Sequence, residues 1–280
     1  MSDFILSHEL PIRLGFFFGM LVLVAGWEIA APRRPLTQSR ALRWSGNLGI
    51  VVINSLVLRW SFPFLAVGMA LLAEERGWGL LNAYPVPFAA AVALSLPALD
   101  LIIYLQHVMF HAVPLLWRLH RMHHADLDFD VTTGVRFHPI EIVLSMGIKL
   151  AAVALLGAPA VAVVIFEVVL NGTAMFNHGN VRLPRALDRV LRWVVVTPEM
   201  HRVHHSILPG ETNSNFGFNL PWWDRLFGTY RDQPREGHEG MTIGLSQFRE
   251  ARFLFFPWLL VQPFLGKAGD PPINSRYDGQ

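Results

Sequence analysis

The 280-residue sequence contains no cysteine. That absence excludes disulfides, iron–sulfur clusters and thiolate zinc sites, so a bound metal would have to be held by histidine and carboxylate. Charge is scarce as well. Asp, Glu, Lys and Arg make up 16% of the chain against 52% hydrophobic residues, and mean hydropathy is positive, which is too little charge to clothe a soluble surface of this size. The formal net charge is +2, and the arginines gather beside apolar segments, where membrane sidedness and lipid headgroups explain them; nucleic acid is not an expected partner. The HExxH signature of zinc proteases is missing, as is the G-x-G-x-x-G fingerprint of dinucleotide sites.

Long apolar runs are what the sequence has in their place. Residues 11–31, 48–72 and 86–105 are each long enough to cross a bilayer, with Pro97 a candidate kink in the third. The first run lacks a basic start and a small-residue cleavage site, so it reads as a retained span. Residues 140–176 carry a Gly157-Ala158-Pro159 break and read as a helical hairpin of two short arms. Lys149, inside the first arm, needs a partner, a water-filled path or a snorkelling route. The run FLFFPWLLVQPFL at 253–265 is short and broken by proline, which suits an interfacial helix, and the last dozen residues read as disordered.

Sidedness follows from basic residues. Arg33, Arg34, Arg40 and Arg43 follow the first run, whereas Arg76 after the second stands beside Glu74 and Glu75, so the first loop is expected to be cytoplasmic. Alternation then brings the polar segments 112–139 and 177–250 to that same side. The expected fold is an all-α, multi-pass integral membrane protein with about three full spans plus a helical hairpin and a cytoplasmic histidine-rich helical cap.

Ten of the twelve histidines lie between positions 107 and 205, in short clusters. QHVMFH supplies His107 and His111, RLHRMHH supplies His120, His123 and His124, and PEMHRVHH supplies His201, His204 and His205; His138 stands in FHPIE and His178 in FNHGN. Residues four apart share a helix face, so each cluster can aim two imidazoles at one point. The additional histidine of HxxHH lies on the neighbouring flank, which lets the clusters reach two metals. Isolated histidines such as His8 and His238 are read as ordinary polar residues. Imidazole suits iron, zinc, copper and nickel alike, but a hydrolytic zinc site needs about three protein ligands; eight to ten suit a redox pair of irons better.

These motifs resemble those of the fatty acid hydroxylase superfamily, which includes sterol desaturases, sterol methyl oxidases and alkylglycerol monooxygenase. The resemblance covers about residues 95–232 and rests on HVMFH, HRMHH and HRVHH, with RFHPIE and with NFG followed by WWDRLFGTY. It implies a non-haem di-iron oxygenase, with the two Fe ions beneath a cytoplasmic cap, O2 as co-substrate and a lipid or sterol-like substrate entering from the membrane. It implies His107, His111, His120, His123, His124, His201, His204 and His205 as core ligands, His178 as a ninth, and His138 as either a ligand or a structural residue. Many members carry paired histidines where this chain has FNHGN, which leaves a place on one iron for water, an asparagine or His138.

Asp100, Asp126, Glu141, Glu199 and Asp224 are candidates for holding imidazole tautomers through their distal nitrogens. WWDRLFGTY is expected to pack the cap closed, and Asn213 and Asn215 fit turn formation most simply, with ligand orientation or binding of a polar headgroup as alternatives. The chain divides into an N-terminal transmembrane region (1–94), a hydroxylase-like catalytic region (95–250) and an interfacial helix with a flexible tail (251–280). Electrons would come from a separate cytochrome b5-like or ferredoxin-like protein. The competing activities are a lipid desaturase of the same family and a zinc-dependent membrane hydrolase.

Overall fold

The computed structural model describes residues 2–267; the tail expected to be disordered lies outside them. The described residues form helices and turns, with two isolated bridges and no strand. In chain order the helices are α1 (Ser2–Ser7), α2 (Glu9–Ala30), α3 (Arg40–Ser61), α4 (Ala66–Arg76), α5 (Leu80–Ala83), α6 (Phe88–Ala112), α7 (Pro114–His124), α8 (Pro139–Leu156), α9 (Ala160–Asn177), α10 (Arg185–Leu191) and α11 (Pro198–His204). Short turns follow. Five segments are long and apolar enough to cross a membrane: Glu9–Ala30, Arg40–Ala83, Phe88–Ala112, Pro139–Leu156 and Ala160–Asn177. Their outward faces expose Phe16, Phe18, Val22, Val52, Leu94 and Leu155, a surface suited to lipid.

Local chemistry moves several boundaries from their expected places. The apolar run 48–72 is not one helix. α3 begins at Arg40, where Ser39 Oγ accepts from the Leu42 amide at 3.4 Å, and it stops before Pro63, because the residue preceding a proline is pushed to extended backbone, here Phe62 at φ −130°, ψ 131°. α6 runs unbroken through Pro97 to Ala112, so His107 and His111 ride on its last turns. In the hairpin, Gly157 takes φ +69° to end α8, and Pro159 caps α9. Each arm is 18 residues long. At 1.5 Å per residue that is about 27 Å, close to the roughly 30 Å of hydrocarbon, so the arms are longer than the sequence led one to expect.

α9 is the most enclosed of these helices, packed against α1, α2, α4, α6 and α11. The charge at Lys149 finds a partner on it. Lys149 Nζ donates to Glu167 Oε1 at 2.7 Å, and Arg13 of α2 donates to Glu167 Oε2 at 2.6 Å, which answers the need of ionised groups away from water.

The loop between α2 and α3 packs onto the histidine-bearing end of the bundle. Arg33 donates to Glu199 at 2.9 Å, the Arg34 amide donates to Asn180 Oδ1 at 3.0 Å, and Thr37 donates to Asp128. Arg43 is fully buried, forking onto both oxygens of Asp126 at 2.7 and 2.9 Å and also meeting Asp130. These arginines therefore brace the cap. They also put the basic loop and the cap on one face of the bundle. The segment 251–264 is not a free interfacial helix: it breaks into short helical turns that strap α3 to α7, with Leu254 and Leu259 buried and Arg121 donating to the carbonyl of Gln262 at 2.8 Å. A Cβ on Gly46 would stand 2.6 Å from the Leu254 carbonyl oxygen, so glycine lets the strap lie directly on α3.

Candidate metal centre

The two short helices that carry most of the histidines open alike. Pro114 begins α7 and Pro198 begins α11, each where a missing amide costs nothing, and Thr197 Oγ1 accepts from the Met200 amide at 3.3 Å. Both helices are sealed into the cap, so their imidazoles cannot turn to water.

Nine histidines converge in two groups. His107, His111, His120, His124 and His204 form one, and His123, His178, His201 and His205 the other; within each, one nitrogen per ring lies within 4.8 Å of all the others. α7 divides its three histidines between the groups, with His120 and His124 on one face and His123 on its flank. α11 does the reverse, giving His204 to the first group and His201, with the following His205, to the second. The groups touch: the rings of His124 and His205 are 4.6 Å apart and those of His120 and His123 are 5.2 Å apart.

The outward nitrogens decide which atom faces inward. His107 Nδ1 donates to the Phe216 carbonyl at 2.7 Å, His204 Nδ1 to that of Ser214 at 2.7 Å, His123 Nδ1 to that of Arg136 at 3.2 Å, and His178 Nδ1 to that of Ala174 at 2.7 Å and to Asn177 Oδ1 at 2.6 Å. His120 Nδ1 donates to Glu141 Oε1 at 2.7 Å and His111 Nδ1 to Asn213 Oδ1 at 3.2 Å. Carbonyls and carboxylates only accept, so these Nδ1 atoms carry the hydrogen and each Nε2 presents a lone pair to the interior.

Those lone pairs face one another. Nε2 of His107 is 3.1 Å from Nε2 of both His120 and His204, and Nε2 of His178 is 3.2 Å from Nε2 of both His123 and His205. Such pairs repel unless an electrophile sits between them. With metal–nitrogen bonds of about 2.1 Å, neighbouring ligands stand about 3.0 Å apart at right angles and about 3.4 Å apart in a tetrahedron. The 3.1 Å spacings of the first group are nearer the right-angle value, which suits five or six ligands, whereas the 3.2 Å spacings of the four-histidine second group lie midway between the two. Nε2 of His111, Nε2 of His124 and both nitrogens of His201 are buried with no hydrogen-bond partner, as a metal's ligands would be in its absence.

Protonation favours the same chemistry. Burial, reinforced by the neighbouring imidazoles, holds His123, His124, His201, His204 and His205 well below the ordinary histidine range, and burial takes His178 down to about 3. Neutral imidazole is the metal-binding form.

Of the five carboxylates expected to orient imidazoles, Glu141 alone touches one of the nine grouped rings directly. Asp224 accepts from the Phe216 and Gly217 amides at 2.8 and 2.9 Å and from Thr229 at 2.7 Å. It thereby fixes the strand of backbone that offers its carbonyl to His107; burial raises its pKa to about 6, partly offset by those donors. Asp100 steadies the same segment from α6, accepting from Trp223 Nε1 at 2.8 Å and the Leu220 amide at 3.2 Å. Asp126 is turned away to Arg43 and Thr133. Glu199 meets Arg33, Arg202 and His238 at the cap surface. Burial alone would raise the pKa of Glu199, but His238 and the arginines bring it down to about 2.

His138 stands outside both groups. Its Nδ1 accepts from the Ile140 amide at 3.2 Å, capping α8, and its Nε2 donates to the Leu260 carbonyl at 3.3 Å. With both nitrogens engaged it has none to offer a metal. His8 bonds the Phe4 carbonyl near the chain start.

A cavity of about 260 Å³ opens from the bundle onto the first group, with His107, His120 and Glu141 in its wall and Phe17, Leu58, Ile103, Phe110, Phe137 and Leu170 among its apolar lining. The second group is not in that wall: Phe137 stacks on His123 at 4.7 Å and Phe129 on His178 at 5.4 Å.

The fatty acid hydroxylase family model matches residues 92–229, which contain all nine histidines. The chain belongs to the fatty acid hydroxylase family. It is 33% identical over 191 residues to ornithine lipid hydroxylase OlsE of Rhizobium tropici, covering 68% of this chain and 55% of that one. It is 29% identical over 168 residues to alkylglycerol monooxygenase of Danio rerio (59% of this chain, 36% of that one), and 29% identical over 179 residues to Delta(7)-sterol 5(6)-desaturase erg3B of Aspergillus fumigatus (59% and 48%). The chain thus spans little more than half of the first relative's length and less than half of the other two. No solved structure matches it.

In this member of the fatty acid hydroxylase family, several supporting residues were not singled out from sequence. Asn177 orients His178 and is its immediate neighbour in FNHGN, so the motif itself held that signal. Arg43 and Arg136 hold the 126–136 loop, Arg136 donating from Nε to the Met122 carbonyl at 2.8 Å and from Nη1 to Asn47 Oδ1 at 3.0 Å. Arg43 had read as a membrane-flanking charge, and Arg136 only as part of RFHPIE. Asn213 does more than shape a turn, its Oδ1 accepting from His111 Nδ1 at 3.2 Å.

Proposed function

We propose that this protein is a multi-pass membrane oxygenase holding two iron ions in its nine imidazoles and using O2 to hydroxylate a C–H bond of a lipid or sterol-like substrate. The observation that carries the reading is the pair of adjoining all-imidazole groups, one of which walls an apolar cavity reached from the bundle. Bound iron would supply the redox chemistry that activates O2. Nine clustered imidazoles are far more than a hydrolytic zinc site uses, since such a site takes about three protein ligands and an open position.

The chain's own residues supply geometry and dryness. His107, His111, His120, His124 and His204 would hold one ion, and His123, His178, His201 and His205 the other. Glu141 and the Phe216, Ser214 and Arg136 carbonyls keep the rings of His120, His107, His204 and His123 in the tautomer that leaves Nε2 bare. Phe110, Phe137 and Phe218 in the cavity wall exclude water and confine an aliphatic chain against His107 and His120, so that one carbon is presented. The basic 31–43 loop on the cap face supports a cytoplasmic active site. Electrons would arrive from a separate one-electron carrier of the cytochrome b5 or ferredoxin type.

The test is oxidation by the iron-loaded protein in membranes of lipid extracts, supplied with a reductant and isotopically labelled O2. The reading expects O2 consumption and a product that has gained one labelled oxygen atom. A product that has lost two hydrogens and gained no oxygen would make it a desaturase. Bound zinc with metal-dependent hydrolysis and no O2 uptake would overturn the oxygenase reading.

A further inference from the structure

The cavity that meets the first histidine group is apolar along most of its wall, yet its polar atoms are not all satisfied. Asn54 Oδ1, Gln106 Oε1 and Glu141 Oε2 are buried, belong to residues that line the cavity, and have no hydrogen-bond partner. Asn54 is 7% exposed and Glu141 is 3% exposed. The Asn54 amide cannot be turned around, because its nitrogen donates to the Phe137 carbonyl at 2.9 Å and only nitrogen can do so. Its oxygen is therefore the free atom. Gln106 donates to Ser145 at 2.8 Å and its oxygen is left over, although a hydroxyl can also donate, so Ser145 does not fix this amide as the Phe137 carbonyl fixes that of Asn54. Three unmet acceptors on one cavity wall are a demand for donors, since each costs free energy while unpaired.

Their position is as telling as their type. Gln106 adjoins His107 in sequence, Glu141 bonds His120, and the Phe137 that Asn54 holds stacks on His123. All three thus stand at the histidine end. The far end differs: Lys149 lies eight residues along α8 from Glu141, about 12 Å by helix rise, and is already paired with Glu167.

We infer that the cavity recognises a lipid whose polar group carries a hydrogen-bond donor, an amide N–H or a hydroxyl, and receives that donor on Asn54 Oδ1 and Gln106 Oε1 beside the histidines. The polar group then sits at the metal end with the aliphatic chain running toward Lys149, so the carbon presented for oxidation lies within a few bonds of that group. Hydrocarbon chains without a donor leave the acceptors unpaired. This inference rests on the proposed function only for the meaning of the metal end; recognition itself can be read without turnover.

The experiment is equilibrium binding to the full-length, metal-loaded protein in phosphatidylcholine nanodiscs, by displacement of a fluorescent lipid. The probes are N-methylhexadecanamide, which has an N–H, and methyl hexadecanoate, which has nearly the same shape without one. The amide should bind about tenfold tighter, the value of one to two buried hydrogen bonds, and Asn54→Leu should reduce that ratio toward one while leaving ester binding unchanged. Gln106→Met gives an independent second variant should Asn54→Leu fail to fold. Hexadecan-1-ol should follow the amide. Equal affinity of amide and ester for the unaltered protein, or an undiminished preference in both variants, overturns the inference and leaves the oxygenase reading intact; absence of any oxidation would fault that reading without touching the binding result.

Discussion

The two histidine groups are built from the same helices but face different surroundings. The first has five imidazoles, two of which look into the cavity; the second has four and lies behind Phe129 and Phe137. Their bracing differs too. In the first, His107, His111, His120 and His204 each have the outward nitrogen held, whereas in the second neither nitrogen of His201 nor Nδ1 of His205 has a partner. The cavity-facing group is thus pre-shaped by protein, and the rear group relies more on what it binds. Such an asymmetry is expected where one site must position a substrate and the other need only hold charge and electrons.

The largest effect should come from removing one imidazole from each group. His204→Ala and His123→Ala are both expected to abolish oxidation while the protein remains membrane-inserted, because neither ring supports the apolar spans. Metal content separates the groups: His123→Ala, in the less braced group, should lose more of its metal than His204→Ala. Retained turnover in both variants would refute the ligand assignments. Next comes Glu141→Gln, which keeps an acceptor for His120 but removes the charge, and should lower activity or metal affinity about 10- to 100-fold. An unchanged rate would mean that His120 needs no orienting carboxylate.

Acidity gives a smaller, graded effect. Unfolded histidines take up protons near pH 6.5, whereas burial keeps His123, His124, His201, His204 and His205 neutral until far lower, with His178 at about 3. Folded pKa values below the unfolded value mean stability that is present above about pH 6.5 and is lost as pH falls toward about 3. Chelator-stripped protein should therefore melt at progressively lower temperature as pH is taken below about 6.5, and a flat profile would contradict buried neutral imidazoles. Smallest of all is His138→Ala, expected to cost about 1 kcal/mol through the lost cap of α8 with no change in metal content. A fall in metal content would return His138 to the ligand set.

Much of this division was readable beforehand, because helix periodicity alone separates His120 and His124 from His123. The ninth histidine, His178, rested on the resemblance, and the structure brings it to the second group through the end of α9. Context accounts for the rest. Nothing in FHPIE distinguishes a ligand from a helix cap until the Ile140 amide and the Leu260 carbonyl are in place around the ring. Arg43 read as a sidedness charge because its partners, Asp126 and Asp130, are more than eighty positions away. The break at Phe62 was signalled by Pro63 but masked by the apolar residues on both sides, and hydropathy does not register a turn made of apolar residues.

On the proposed function, the nine imidazoles hold two neighbouring redox ions. Elemental analysis with Mössbauer spectroscopy of protein purified from iron-57-grown cells tests it most directly. Two irons per chain, lost in part from the His123→Ala protein, are the predicted result; a single ion per chain, or zinc in both groups when iron is plentiful, would contradict it.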